Sequence, residues 1–442
     1  MPIGNRVISP FQKFKEKVTV NCASDKSITH RAIMFASLAK GQSTINFPLL
    51  GEDCISTMEC FKSLGVSFQI ENGQIMVNSP GWQGLKSPHK ALDCGNSGTT
   101  ARLISGILCA IPDLECTLIG DESLSRRPMA RISKPLQEMG ADIQATGEKF
   151  LLPIQIKGKK IKASSLKVEK ASAQVKSAII LAGLHSNGIT KVQLPAGSRD
   201  HTEKFLRHLG AKCHSEESSG IETVSFHGPF EIPTINCDVP VDPSSAAFFC
   251  VLGLISQTNS TRIPNVLNNS TRTGFLNALE RMSSNIHSIP VDENSFIEKV
   301  AHIEVEGGFP LRGIEIKGEE VPTLVDEIPI LAIAAAFAKS PSVFKGLDEL
   351  RVKESDRLTK TQELLELAGC KSKIDGDDLI IEGGLKVAKS FKYDSVGDHR
   401  LAMAASVLAK YADGPCEIIN ADCAAVSFPN FYEELEKFEP GK

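Results

Sequence analysis

Residues able to bind anions or move protons fall into six short clusters, each just ahead of a small-residue apolar run. The clusters begin at Ser24 (SDKSITHR), Asn96 (NSGTTAR), Ser172 (SAQVKS), Asp242 (DPSSAAFF), Asp326 (DEIPILA) and Asp398 (DHRLAMA). A polar cluster before a helix presents free N–H groups and a partial positive charge, which suits phosphate and carboxylate. In the first cluster Lys26 and Ser27 fall in the opening turn, and Arg31 lies four residues past Ser27 on the same face. An ammonium, a hydroxyl and a guanidinium fork pointing one way make an anion clamp. In the second, Gly95 and Gly98 give the backbone freedom and let a ligand approach the main chain, without the GxxxxGK[ST] of a P-loop. Arg126 and Arg127 before Pro128 are forks suited to bidentate pairing. Ser172 to Ser177 and Ser198 to Thr202, with Arg199, add hydroxyls and a cation. The first half reads as a phosphate receptor.

The second half brings carboxylates. Asp242, Asp326 and Asp398 are each explicable as an N-cap. Asp326-Glu327 precedes IPILAIAAAFA, a setting in which burial raises a carboxyl pKa. In Arg351 to Arg357 (RVKESDR) a helical reading puts Lys353 and Arg357 on one face with Glu354 beside them, and Asp398-His399-Arg400 repeats the mixture. Cations from both halves can neutralise two anionic substrates while one or two carboxylates handle protons.

Such residues need a scaffold, and the spacing supplies one. The clusters lie 72, 76, 70, 84 and 72 residues apart, which indicates an internal repeat. Each apolar helix is followed by a β-like run, then by an amphipathic helix ending at Gly65, Gly140, Gly210, Ser283 or Gly369. A glycine there reads as a C-cap. Alternating runs follow, as in VSFQIENGQIMV from Val66, where Asn72-Gly73 predicts a hairpin turn. The sixth copy lacks its hairpin, and the chain opens with two short strand-like runs, RVISP and KVTV. The N-terminal segment therefore completes the half built by the C-terminal copies. This predicts two similar domains of three units, 1–21 plus 237–442 and 22–236, with crossings near Asn21 and between Asn236 and Val241.

A chain of 442 residues suits two domains. With net charge −4 and interspersed signs, nucleic acid is not an expected partner. No apolar run approaches a membrane span, and the first twenty residues lack a signal-peptide block. Twelve scattered cysteines, none as Cys-x-x-Cys, indicate a reduced, cytoplasmic protein with neither a disulfide framework nor a zinc site.

Taken in order, Lys26-Ser27 with Arg31, GNSGTTAR, RRPM, SAQVKS, SRDHTEKF, VDEIPILA, RVKESDR and GDHRLAMA resemble the 5-enolpyruvylshikimate-3-phosphate synthase family over essentially the whole chain. The resemblance implies an α/β fold of two domains, each of three βαβαββ units forming an inside-out barrel, with the active site in the interdomain cleft. It implies transfer of the enolpyruvyl group of phosphoenolpyruvate to the 5-hydroxyl of shikimate 3-phosphate through a tetrahedral adduct, in a monomer without metal or organic cofactor. Shikimate 3-phosphate would be held by Lys26, Ser27, Arg31, Ser172, Ala173, Gln174, Arg199, Asp326 and Lys353. Phosphoenolpyruvate would be held by Lys26, Gly98, Arg127, Gln174, Arg357 and Arg400. Asp326 would be the base, Glu354 the acid, and Lys26 would serve catalysis as well as binding. The chain departs from one branch of the family, which has a lysine just before the late Phe-Pro where this chain has Ala425-Val426-Ser427. The related enolpyruvyl transferases acting on a UDP-sugar generally carry a loop cysteine where this chain has SLSRRPM, and no cysteine lies between Cys116 and Cys213. A non-catalytic anion binder would not place Asp326 and Glu354 among its cations.

Overall fold

The computed structural model describes residues 4–256, 259–292 and 295–440. They divide into two compact units: a first unit of Ser24–Val239 with Asn294–Glu298, and a second of Met1–Ala23, Pro240–Glu293 and Lys299–Lys442. Each of the six clusters starts a helix. In the first unit these are α1 (Lys26–Leu38), α2 (Gly98–Leu108) and α3 (Ala173–Ala182). In the second they are α4 (Pro243–Ile255), α5 (Ile328–Ala336) and α6 (His399–Ala409). Asp25, Ser97, Ser172, Asp242 and Asp398 cap five of them by accepting a backbone N–H of the first turn. Asp326 does not: it sits in a 3-10 turn, Val325–Glu327, ahead of α5. Its side chain is thereby left for other partners.

The described strands form six small sheets, five of four strands and one of three. A complete repeat lays a short strand parallel to the next one, then adds an antiparallel hairpin. In the second repeat Leu92–Asp93 pairs with Glu115–Ile119, which pairs with Leu151–Lys157 and that with Asp142–Thr146. Residues along the inner strands alternate between buried and exposed, as in Leu151–Lys157, so one face covers the helices. The helices they cover are mostly buried, and α5 is apolar all round with every residue buried, which such a sequence requires. Where α2 and α3 meet, Gly106 lies against the backbone of Ala178, and a Cβ would collide with that carbonyl.

The repeats end as their sequences indicate. Gly65, Gly140, Gly210 and Gly369 have φ of 102°, 100°, 91° and 87°, and Ser283 takes the same role at φ 63°. Asn72 and Gly73 both have positive φ and join Ser67–Glu71 to Gln74–Pro80. The N-terminal strand Arg6–Ile8 pairs with Cys416–Ile419, completing the sixth sheet. Lys17–Thr19 precedes α1 yet pairs with Ser260–Leu267 of the second unit. Asn236–Asp238 precedes α4 yet pairs with Thr44–Asn46 of the first. The chain thus lays one strand in each unit before it leaves. The segment ending at Glu298 belongs to the first unit, where Glu298 pairs with His201, an excursion without a signal in the sequence. Among the described residues no helix is long and apolar enough to cross a membrane.

Candidate active site

The first unit holds two groupings of the expected residues. Around the start of α1, Arg31 is almost fully buried and donates through Nε to Thr202 (2.8 Å), through Nη2 to Ser177 (3.0 Å) and through Nη1 to the carbonyl of Ser27 (3.1 Å). Burial, countered by Glu203 and Glu298 and aided by Arg199, lowers its pKa to about 10. Arg199 is therefore a close electrostatic neighbour. Lys26 pairs with Asp53 from the helix Glu52–Ser63. The sequence indicates Lys26, Ser27, Arg31 and Arg199 here; Asp53 gives no signal at all.

The second grouping surrounds the starts of α2 and α3. Gln174, next to the cap Ser172 and Ala173, accepts from Arg102 Nη1 at 2.8 Å and donates to Thr99 at 3.2 Å. Burial and the nearby cations Arg127 and Arg131 lower the Arg102 pKa to about 10. Arg102 stands inside GNSGTTAR but is missed as a site residue by sequence reasoning. Arg127 donates to Asn96 Oδ1 (2.8 Å) and Ser123 (3.1 Å), while Arg126 turns away to pair with exposed Glu122. The two adjacent arginines thus part company. Gly95 has φ 54°, as a backbone-freedom argument requires. Gly98 is helical, and its need is for space: a Cβ would stand 2.6 Å from Arg102 Nη1 and 3.7 Å from Arg127 Nη1.

The third grouping lies in the second unit and is built on carboxylates. Arg357, 1 % exposed in its side chain, meets Glu354 at 2.7 Å, Asp398 at 2.8 Å and Asp326 at 3.2 Å. Lys353 reaches Asp326 at 3.9 Å and Arg400 reaches it at 3.6 Å. Burial opposes the charge on Arg357, but the three carboxylates outweigh it and raise its pKa. Burial likewise opposes ionisation of Glu354 and Asp398, but Arg357, His399 and hydrogen bonds together outweigh it, so both carboxyls are held below their usual range. Beside Asp326, burial and the Asp326 charge raise the pKa of Glu327. The burial effect expected for the Asp326-Glu327 pair is therefore evident on Glu327.

The helical reading of RVKESDR is overturned. Lys353 ends a 3-10 turn, Asp348–Val352, in extended conformation, and the helix begins at Arg357 with Asp356 as its cap. Asp356 accepts from the N–H of Thr359, which fixes the start four residues later than the pattern suggests. Lys353, Glu354 and Arg357 converge through a bend: Glu354 pairs with Arg357, Lys353 and Arg357 both reach Asp326, and Asp398 holds Arg357 and Ser355.

Among the described residues one set could ligate a metal: Asp200, His201 and Glu298. Lys204 already brings a cation there, 3.1 Å from Asp200 and 3.7 Å from Glu298. All twelve cysteines are free and buried.

Residues 12–435 match the family model of EPSP synthase (3-phosphoshikimate 1-carboxyvinyltransferase). The chain is 43% identical to a 3-phosphoshikimate 1-carboxyvinyltransferase of Caldicellulosiruptor bescii over 412 residues, 93% of this chain and 94% of the relative. It is 42% identical to one of Bacillus cytotoxicus over 417 residues, 94% and 96% of the two chains. An EPSP synthase from Acinetobacter baumannii superimposes with a TM-score of 0.88 at 36% identity, covering 98% of each chain. An enolpyruvyl transferase from Streptomyces tendae shares the fold at TM-score 0.71 and 14% identity, covering 98% of this chain and 96% of its own. Ordered motifs, six repeats and close relatives over nearly the whole length agree: this chain belongs to the EPSP synthase (3-phosphoshikimate 1-carboxyvinyltransferase) family.

Proposed function

We propose that the three groupings serve one reaction, transfer of the enolpyruvyl group of phosphoenolpyruvate to the 5-hydroxyl of shikimate 3-phosphate with release of phosphate, on the route to chorismate. Family membership supports the activity. The observation that carries the residue roles is the meeting of Asp326 with Lys353, Arg357 and Arg400 within 4 Å. A carboxylate ringed by cations can act as a base toward an anionic substrate without repelling it.

In the addition step Asp326 takes the 5-hydroxyl proton as that oxygen bonds to C2 of phosphoenolpyruvate, and Glu354 delivers a proton to C3. In the elimination step the Glu354 carboxylate takes a proton back from C3, the C2–O bond to phosphate breaks as Asp326 returns its proton to the departing phosphate, and the enol ether forms. Proton transfers close the balance, so no cofactor is assigned. Lys26, Ser27, Arg31, Ser172, Ala173, Gln174 and Arg199 hold shikimate 3-phosphate, joined by Lys353 and Asp326. Lys26, Gly98, Arg127, Gln174, Arg357 and Arg400 hold phosphoenolpyruvate. The assigned residues come from both units, and we read the enzyme as a monomer. Free buried cysteines favour a cytoplasmic location.

Glu354 is an ionised partner of Arg357 in the free protein. Phosphoenolpyruvate oxygens on Arg357 would compete for that guanidinium, let the Glu354 pKa climb, and turn it into an acid only when substrate is present. A phosphate-release assay tests the whole reading: release from phosphoenolpyruvate should require shikimate 3-phosphate. Equal release with a UDP-sugar acceptor, or with none, would reject it.

A further inference from the structure

Glu327 follows Asp326 in the turn before α5 and is 1 % exposed. Its Oε1 accepts a hydrogen bond from the Ser244 hydroxyl in the first turn of α4. Ser244 in turn accepts from Arg272 Nη2 at 3.2 Å, and the same nitrogen donates to the cap Asp242 at 2.8 Å. A guanidinium only donates, so the single Ser244 proton must point to Glu327. The order Asp242, Arg272, Ser244, Glu327 is a buried relay of fixed polarity. At its end Arg400 Nη1, from α6, lies 4.0 Å from Glu327 Oε1 and 3.4 Å from the Asp326 carbonyl. Glu327 Oε2 is buried with no hydrogen-bond partner among the described residues.

We infer that Glu327 is a positioning residue for enolpyruvyl transfer, tying α4 to the turn that carries Asp326 and to the seat of Arg400. The inference rests on the proposed roles of Asp326 as base and Arg400 as phosphoenolpyruvate ligand, and it deepens them. A buried carboxyl is a costly filler, since a leucine or methionine fills such space without desolvating a charge. The groups facing Glu327 are Asp326 on its own turn, Arg400 from α6, and Arg272 with Asp242 behind it. Burial and Asp326 push its pKa up, against Arg400, Arg272 and the Ser244 bond. While Glu327 holds its proton, the Arg400 charge is left for the substrate; once it ionises, it competes for Arg400.

The test is steady-state phosphate release by the full chain, with melting temperatures measured alongside. Glu327→Gln, which keeps the shape and can still accept from Ser244, should lose about 5-fold in kcat and leave the KM for phosphoenolpyruvate within about 2-fold of the wild type. Glu327→Leu should fold yet lose about 100-fold in kcat and raise that KM about 10-fold. Wild-type kinetics in folded Glu327→Leu, or a Glu327→Gln KM raised as far as that of Glu327→Leu, would overturn the inference. Should Glu327→Leu not fold, Ser244→Ala carries the test: it keeps the carboxyl, removes its tether, and should cost about 10-fold in kcat/KM for phosphoenolpyruvate. An unchanged Ser244→Ala would be equally fatal. Failure of the reaction assignment reads differently, as wild-type release that ignores shikimate 3-phosphate, and leaves the variant KM comparison intact.

Discussion

The two units seat their arginines on opposite kinds of partner. In the first, Arg31 rests on two hydroxyls and a carbonyl, Arg102 on an amide oxygen, and Arg127 on an amide oxygen and a hydroxyl. In the second, Arg357 rests on three carboxylates and Arg272 on Asp242. A guanidinium seated on neutral oxygens keeps its full charge for an incoming anion, at the expense of desolvation, which is why Arg31 and Arg102 are lowered to about 10. One seated on carboxylates is compensated before substrate arrives. The first unit is therefore a preorganised receptor, and the second a closed ionic network that substrate must reopen. Lys26, paired with Asp53, and exposed Arg126, paired with Glu122, are exceptions in the first unit.

The contrast is open to attack at several points. Arg357→Ala should cost about 3–5 kcal/mol of stability in denaturant unfolding, because it leaves Asp398 buried without its counter-charge. A loss below about 1 kcal/mol would mean that the network is not closed. Asp326→Asn should keep its fold and lose about 100–10,000-fold in kcat, the usual range for a general base. Arg127→Ala, by contrast with Arg357→Ala, should melt like the wild type while raising the KM for phosphoenolpyruvate about 10–100-fold. An unchanged KM would remove Arg127 from the receptor. Acid should act on the second unit first. The lowered pKa values of Glu354 and Asp398 give stability that is present above the ordinary carboxylate range and lost as pH falls toward their depressed values. Hydrogen exchange on acidification should show opening around 326–400 before α1, and Glu354→Gln should weaken that dependence. The smallest effect is expected at Ser283, which does with φ 63° what glycine does in the sister repeats. Ser283→Gly should gain about 0.5–1 kcal/mol in thermal unfolding.

Most of the scaffold is legible in the sequence because its signals are local. A cap, a C-terminal glycine and an Asn-Gly turn are each decided by residues within a few positions, and repetition multiplies their weight. The closing role of Arg6–Ile8 is legible only by subtraction, from a sixth copy that lacks strands. The site is legible as residue types at a fixed phase of the repeat, but the partners that hold them are not. Asp53 reaches Lys26 from the second helix of the same repeat, Thr202 and Ser177 reach Arg31 from the third, and nothing in the one-dimensional pattern pairs them. The RVKESDR segment defeats helical periodicity because Asp356 starts the helix late. Asp326 looks like its capping cousins Asp242 and Asp398, and only the extra 3-10 turn separates the carboxylate proposed as the base from the structural ones.

The ion pair between Arg6 and Asp422, 2.6 Å long, joins residues 416 positions apart. On the ribosome the strand beside Arg6 emerges long before the strand it must join. At about 5–20 residues per second it waits on the order of 20–80 s for Cys416–Ile419 to be made. The first unit is nearly continuous in the chain and can close during that interval, while Lys17–Thr19 also waits, for Ser260–Leu267. Once synthesis has passed Glu298, a nascent chain of this protein can carry one finished lobe and a still unpaired Arg6–Ile8 strand, which makes that strand the part most in need of a chaperone's shelter.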